Sequence, residues 1–431
     1  MARVLQAGDE YITTLDGGAS FGLWDSVFGT VTVGGAFVRS GFNGSRVNPL
    51  VPGSHYREKR FAAVGNPNDV KLGFAVQPKV RVDTLTEIVV ITNTAQVSLR
   101  SYTDGTLELW DDVGAVQIGS TSAALALDTW YWINLSFIRA TAVATAKING
   151  AAFASGVITA GDMHILDLGI GITTPATGEF WFDDYVVNDQ TGANETGDPV
   201  DQKIIIIRPN GDGDSADGLR GGTDSGTDWG QLNEDPPNDA TNYYILDDTV
   251  IPDRIEVNME AASNWIPAGS TIVAVQSYVR HRASGGPQNM TYRALIKSQV
   301  GGTRQFGTNV SHNDITWKTN GDNLPRLPSL TSYTDPQSGG PWTVPLLDDA
   351  QAGVEAVVAI PPDIWITVLA LLIAYVPPVE PGPEPTEPTP SLPEIHSLPS
   401  PLGPGGAGVP LRCEIQGRSI GNYYVRVIYD P

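Results

Sequence analysis

Through the first 190 residues, apolar and polar positions alternate in short runs broken by turn residues, the pattern of half-buried β-strands. "VSLRSYTDGTLELWDD" reads as two strands joined at Asp104-Gly105, and "ATAKINGAAFASG" as two joined at Asn149-Gly150. Both dipeptides supply the positive φ that a tight hairpin requires. In "TWYWINLSF" alternation places Tyr131, Ile133, Leu135 and Phe137 on a core face and Trp130, Trp132, Asn134 and Ser136 on the other. "EFWFDDYVVND" sends Phe180 and Phe182 into one layer and reads as the closing strand of this region. Adjacent aspartates on a strand point to opposite faces, so Asp183 and Asp184 predict a bulge or a backbone-capping point.

The polar stretch "QTGANETGDPVDQ" marks a boundary, with residues 191–199 as linker. A second β region then runs from about residue 200 to 376, with strands in "KIIIIRP", "NYYILDD", "STIVAVQSYVRHR" and "MTYRALIKSQV". The run Ile364 to Val376 is continuously apolar, which predicts a strand buried on both faces. Its 13 residues are too few to span a bilayer as a helix, so no membrane insertion is expected. Residues 377–408 form a Pro-rich spacer, with eleven prolines between Pro377 and Pro404, and are expected to be extended. Residues 409–431 then read as a terminal hairpin. A lone hairpin is marginal in water, so this tail is expected to dock on another subunit or complete a neighbouring sheet, with Pro377, Pro404, Tyr423 and Tyr424 as assembly residues. The fold class expected is all-β: two jelly-roll or sandwich domains, 1–190 and 200–376, followed by an extended arm and a hairpin.

Composition agrees. Glycine (47) and proline (32) are abundant while charged residues make up only 17%, as in turn-rich β structure. The net charge of −22 argues against nucleic acid as a partner. A single cysteine, Cys413, rules out an intramolecular disulfide framework, so cores and assembly must supply the stability. The opening "MARVLQAGDEY" lacks the apolar stretch of a signal peptide, so release by cell lysis is the expected route out.

Candidate chemistry is sparse. Asn210, Asp212 and Asp214 have the one-three-five spacing of a calcium loop, but Ser215 and Gly221 stand where Gly and a bidentate Glu belong. No cofactor is expected, with calcium at this loop as the alternative. The five histidines show no paired spacing. The acids of "TLELWDD" and "EFWFDDYVVND" lack the alternation that puts a glycosidase pair on one face, so no enzymatic activity is expected. Trp110, Trp130, Trp132 and Trp181 are the candidate platforms for stacking a sugar.

The order of "SLRSYTDGTLELWDD", "DTWYWINLSF", "AKINGAAFASG", "GIGI" and "FWFDDYVVND" resembles a concanavalin A-like (laminin-G-like) jelly-roll sandwich. The second region, through "DWGQLNEDPPNDATNYY", "AVQSYVRHRASGG" and "TDPQSGGPWTVPLLDDAQAGVEA", resembles a domain of tailed-bacteriophage structural proteins. This pairing implies a virion protein exposed on tail, fibre or head. Its partners would be other virion subunits, including copies of itself, with host-surface glycans as a further ligand and a carbohydrate-binding adhesin as the alternative reading. A polysaccharide-degrading enzyme is a remote third.

Overall fold

The computed structural model describes residues 3–7, 24, 26–41, 43–60, 69–188, 194, 196–222, 226–233, 239, 241–247, 251–285, 289–312, 315–319, 330–358, 363–378, 411–415 and 425–429. The fold is all-β. Residues 1–378 form one compact unit and residues 379–431 a second.

The first sandwich pairs an eight-stranded with a seven-stranded antiparallel sheet. In the first sheet, Asp69–Val80 and Glu179–Asn188 lie side by side at the centre. In the second, Thr86–Asn93 lies between Gln96–Ser101 and Met163–Ile170. Both hairpins form as the turn residues require. Gln96–Ser101 pairs with Leu107–Asp111, and Val143–Ile148 with Ala151–Val157 across Asn149 and Gly150, both at positive φ. The core is filled by Leu72, Phe74, Leu99, Leu109, Ile133, Phe137 and Phe182, among others.

Against the polar look of "HYREKR", Arg57 and Lys59 turn inward and are fully buried. Arg57 lies 4.4 Å over the Trp24 ring and 4.8 Å over that of Tyr185, and donates to Ser45 Oγ at 2.7 Å and to the Tyr185 hydroxyl. A guanidinium tolerates this burial because its flat faces meet aromatic rings while its edge finds hydroxyls.

The second sandwich pairs a seven-stranded sheet, centred on Ile364–Val376 and Thr271–Ala283, with a six-stranded sheet centred on Gln351–Ala356. "PWTVPLLDD" closes it. Trp342 is buried and donates Nε1–H to Ser332 Oγ at 3.0 Å, and Thr343 caps the short helix Val344–Asp348.

The continuously apolar strand is buried on both faces because it serves two cores. Leu369, Leu371, Ile373 and Tyr375 face the second core. Val368, Ala370, Leu372 and Ala374 belong to the apolar cluster of the first sandwich. The neighbouring Lys203–Ile207 divides the same way, with Ile205 and Ile207 inward and Ile204 and Ile206 toward the first sandwich. At roughly 25 cal/mol per Å² of apolar surface removed from water, this sheet-to-sandwich contact stabilises both domains. The connection between the domains docks with them: Trp132 Nε1 and Asn134 Nδ2 both donate to the Pro199 carbonyl, at 3.1 and 2.7 Å. Gly73 makes room for this, since a Cβ there would sit 2.5 Å from the Trp132 ring and 2.8 Å from Pro199.

In the second unit, Leu411–Ile415 and Val425–Tyr429 form an antiparallel hairpin. Pro404, Tyr423 and Tyr424 lie outside the described residues, as do residues 379–410. Pro377 is half-buried just past the end of the Ile364–Val376 strand. No helix among the described residues is long and apolar enough to cross a membrane.

Candidate functional site

The aspartate pair of the closing strand is a bulge. Strand register shifts between Asp183 and Val186, Asp184 adopts φ +52, and both side chains are fully buried. The Asp183 carboxylate accepts the backbone N–H groups of Arg39 (2.8 Å), Ser40 (3.1 Å) and Asp184 (2.8 Å). Asp184 Oδ1 accepts from Ser40 Oγ at 2.5 Å and from the Ile204 N–H at 2.7 Å, while Oδ2 meets Arg39 Nη1 at 3.3 Å. Arg39 in turn reaches Asp201 at 2.5 Å and the Gln202 carbonyl. Asp184 therefore fastens the first strand of the second sandwich to the last strand of the first. Burial pushes its carboxyl above the usual carboxylate range, against the pull of Arg39, Ser40 and Ile204. These carboxylates are occupied by the fold and face no open cleft.

Of the four tryptophans expected as platforms, Trp132 is a correction. It is 2% exposed, because the Pro199 segment covers the face that alternation had left open. Trp130 is half-buried and packs against the first core. Trp110 and Trp181 do face outward, each half-buried, and they share a local device. Each follows a glutamate by two residues, so both side chains emerge on one face of the strand. Trp110 Nε1–H donates to Glu108 at 2.8 Å, and Trp181 Nε1–H donates to Glu179 at 2.7 Å. A cation lies over each ring, Arg100 at 4.4 Å and Lys79 at 4.2 Å.

The Trp110 site is the more elaborate. Glu108 also accepts from the Tyr102 hydroxyl (2.6 Å) and from Thr121 (2.8 Å); burial alone would raise its pKa, but these bonds hold it below the usual range. Burial, then Glu108 itself, push Tyr102 up to about 12, so its hydroxyl stays a donor. Arg100 pairs with Asp112 at 2.6 Å, and Ser98 donates to the same oxygen at 2.8 Å. Farther along this sheet face Asp167 stands directly opposite Glu58, with its Oδ1 buried and without a hydrogen-bond partner among the described residues. Burial and then the Glu58 charge push Asp167 up to about 7. The arrangement offers a ring edge, a fixed carboxylate, a guanidinium and hydroxyls on one open sheet face. Such groups together can stack on and hydrogen-bond to a hydroxyl-rich molecule.

Asn210, Asp212 and Asp214 correct the calcium-loop expectation. They lie on the strand Pro209–Ala216, where same-face residues are spread along the sheet and do not converge as in a loop. Asp214 takes the Lys297 ammonium and the Gly301 N–H at 2.5 Å each, and the Gln351 amide at 3.2 Å. Asp212 Oδ1 accepts the Trp229 N–H at 3.3 Å. Among the described residues no group of three or more His, Cys, Asp or Glu is placed to hold a metal ion.

No protein-family model matches the chain, and no curated protein does. Solved structures similar to it include the Trypanosoma rangeli sialidase, at 12% identity and TM-score 0.29, over 34% of this chain and 25% of that one. The heptameric SAP-like pentraxin of Limulus polyphemus is 14% identical with TM-score 0.25, over 33% of this chain and 74% of the other. The receptor-binding domain of the botulinum neurotoxin C/D mosaic serotype is 11% identical with TM-score 0.32, over 63% and 73%. The chain thus spans about a quarter of the sialidase's length. These likenesses are partial, and no residue of these proteins is carried across to this chain.

Proposed function

We propose that the protein is a non-enzymatic structural subunit of a particle surface, of the tailed-bacteriophage virion type its second region resembles. In this reading a rigid two-sandwich body is tied to neighbouring subunits, including copies of itself, by the Pro-rich arm and terminal hairpin. The observation that carries it is the junction: one sheet serves two apolar cores, and buried Asp184 spans from one sandwich to the other. Such a body resists relative motion of its halves, which suits a load-bearing part better than a hinged catalyst. The arm begins where the compact unit ends, at Pro378. Sedimentation tests this. The full chain is expected to self-associate, and residues 1–378 are expected to keep the same melting transition as a monomer; equal association of both forms would defeat the role given to the arm.

The Trp110 face favours a second, compatible reading, recognition of host-surface glycans. In a glycan array Trp110→Ala is expected to lose about tenfold or more in apparent affinity, since ring stacking and the Glu108 orientation go together. Unchanged binding, or none by the native chain, removes this reading.

A further inference from the structure

The outer face of the six-stranded sheet carries a cationic cleft in an acidic protein. Strand register sets Arg254 opposite Glu355 and Glu355 opposite Arg293, a row of two guanidiniums flanking one buried carboxylate. Arg254 uses its Nε and Nη2 on Glu355 Oε2, the former at 2.9 Å. Arg293 uses Nε and Nη2 on Oε1 at 2.9 and 2.6 Å. Arg304 spends the same edge on Glu256, which also accepts from the fully buried Lys297 at 2.7 Å. Each of the three arginines is thus held along one edge, with Nη1 free of any hydrogen-bond partner among the described residues. The Phe306 ring, 3.8 Å from the Arg293 guanidinium, fixes its plane.

These arginines line an open cleft of about 670 Å³, whose lining also includes Ile251, Pro252 and Val357. Glu355 is the single carboxylate in the lining and Glu256 lies behind Arg304, so the three guanidiniums meet two carboxylates and keep one positive charge in excess, in a chain whose net charge is −22. An ion-pair lattice serving stability alone needs no such excess. Half-buried guanidiniums already fixed in orientation lose little entropy on taking an anion.

We propose that this cleft binds a carboxylate-bearing saccharide unit, a uronic acid residue of an acidic polysaccharide. The carboxylate meets the free Nη1 groups, and the apolar C–H face of the sugar lies on Ile251, Pro252 and Val357. The volume suits one or two sugar residues. The site is distinct from Trp110.

Calorimetric titration of the full chain with a galacturonate dimer, its neutral galactose counterpart and inorganic sulfate tests the proposal. Saturable binding of the uronate alone is expected, weakening with added salt. Asn309→Asp places a negative charge in the cleft lining without touching the arginine row, and should weaken binding by about tenfold or more with an unchanged melting temperature. Arg293→Gln, which leaves Arg254 on Glu355, should do the same, whereas Trp110→Ala should not. Absence of saturable uronate binding overturns the proposal. So does equal binding of sulfate or of the neutral sugar, or unchanged affinity in both cleft variants.

Discussion

Asp184→Ala is expected to lower the stability of the two-sandwich unit by about 3–5 kcal/mol, the usual cost of removing one partner from a buried ion pair. The side chain is fully buried, and its loss leaves Ser40 Oγ, the Ile204 N–H and Arg39 Nη1 only their longer 3.3 Å bonds, to the Ile204 carbonyl, Ser40 Oγ and the Gln202 carbonyl. Asp184→Asn is the informative companion. Asparagine tolerates the φ of +52 and keeps an oxygen for Ile204, but lacks the charge that answers Arg39. It should cost less, on the order of 1–2 kcal/mol. Urea unfolding followed by tryptophan fluorescence measures both. A loss below 1 kcal/mol for the alanine variant would mean that the junction is held by apolar contact alone.

Leu372 tests that apolar contact. It is 1% exposed on the strand shared by the two cores, and it faces the first sandwich. Leu372→Ala should cost about 2–5 kcal/mol through lost transfer free energy and the cavity left behind. Leu372→Asp buries an unpaired charge and should abolish soluble expression, since that penalty rivals the net stability of a typical domain. Val157→Asp is the control: that residue is 73% exposed on an edge strand, and the change should stay within about 0.5 kcal/mol. If Leu372→Asp expresses and melts like the native chain, the two sandwiches do not depend on one another.

The tryptophan faces and the arginine cleft differ in how far the sequence announces them. Glu108 with Trp110, and Glu179 with Trp181, are two apart on strands, so their shared face follows from strand periodicity. The cation above each ring does not follow, because Arg100 and Lys79 come from other strands. The cleft leaves no local trace at all: Arg254, Arg293 and Glu355 are separated by up to 101 residues and meet only through strand register. A signal could have been found only by pairing the strands first. Trp132 failed as a platform for the same reason, since alternation cannot foresee that Pro199 will cover its outer face.

Local chemistry therefore settled what local chemistry governs. The all-β class, the two hairpins with their positive-φ turn residues, the bulge at Asp183-Asp184 and the double burial of Ile364 to Val376 all follow from steric limits on φ and from a side-chain period of two. Tertiary structure decided what each exposed or buried face meets. It turned the aspartate pair into a staple between sandwiches, drew Arg57 into a core between two rings, gave Asp214 to a buried lysine, and assembled three arginines into a cleft. Those outcomes depend on contacts between residues distant in the chain, and no short-range pattern encodes which strand will be the neighbour.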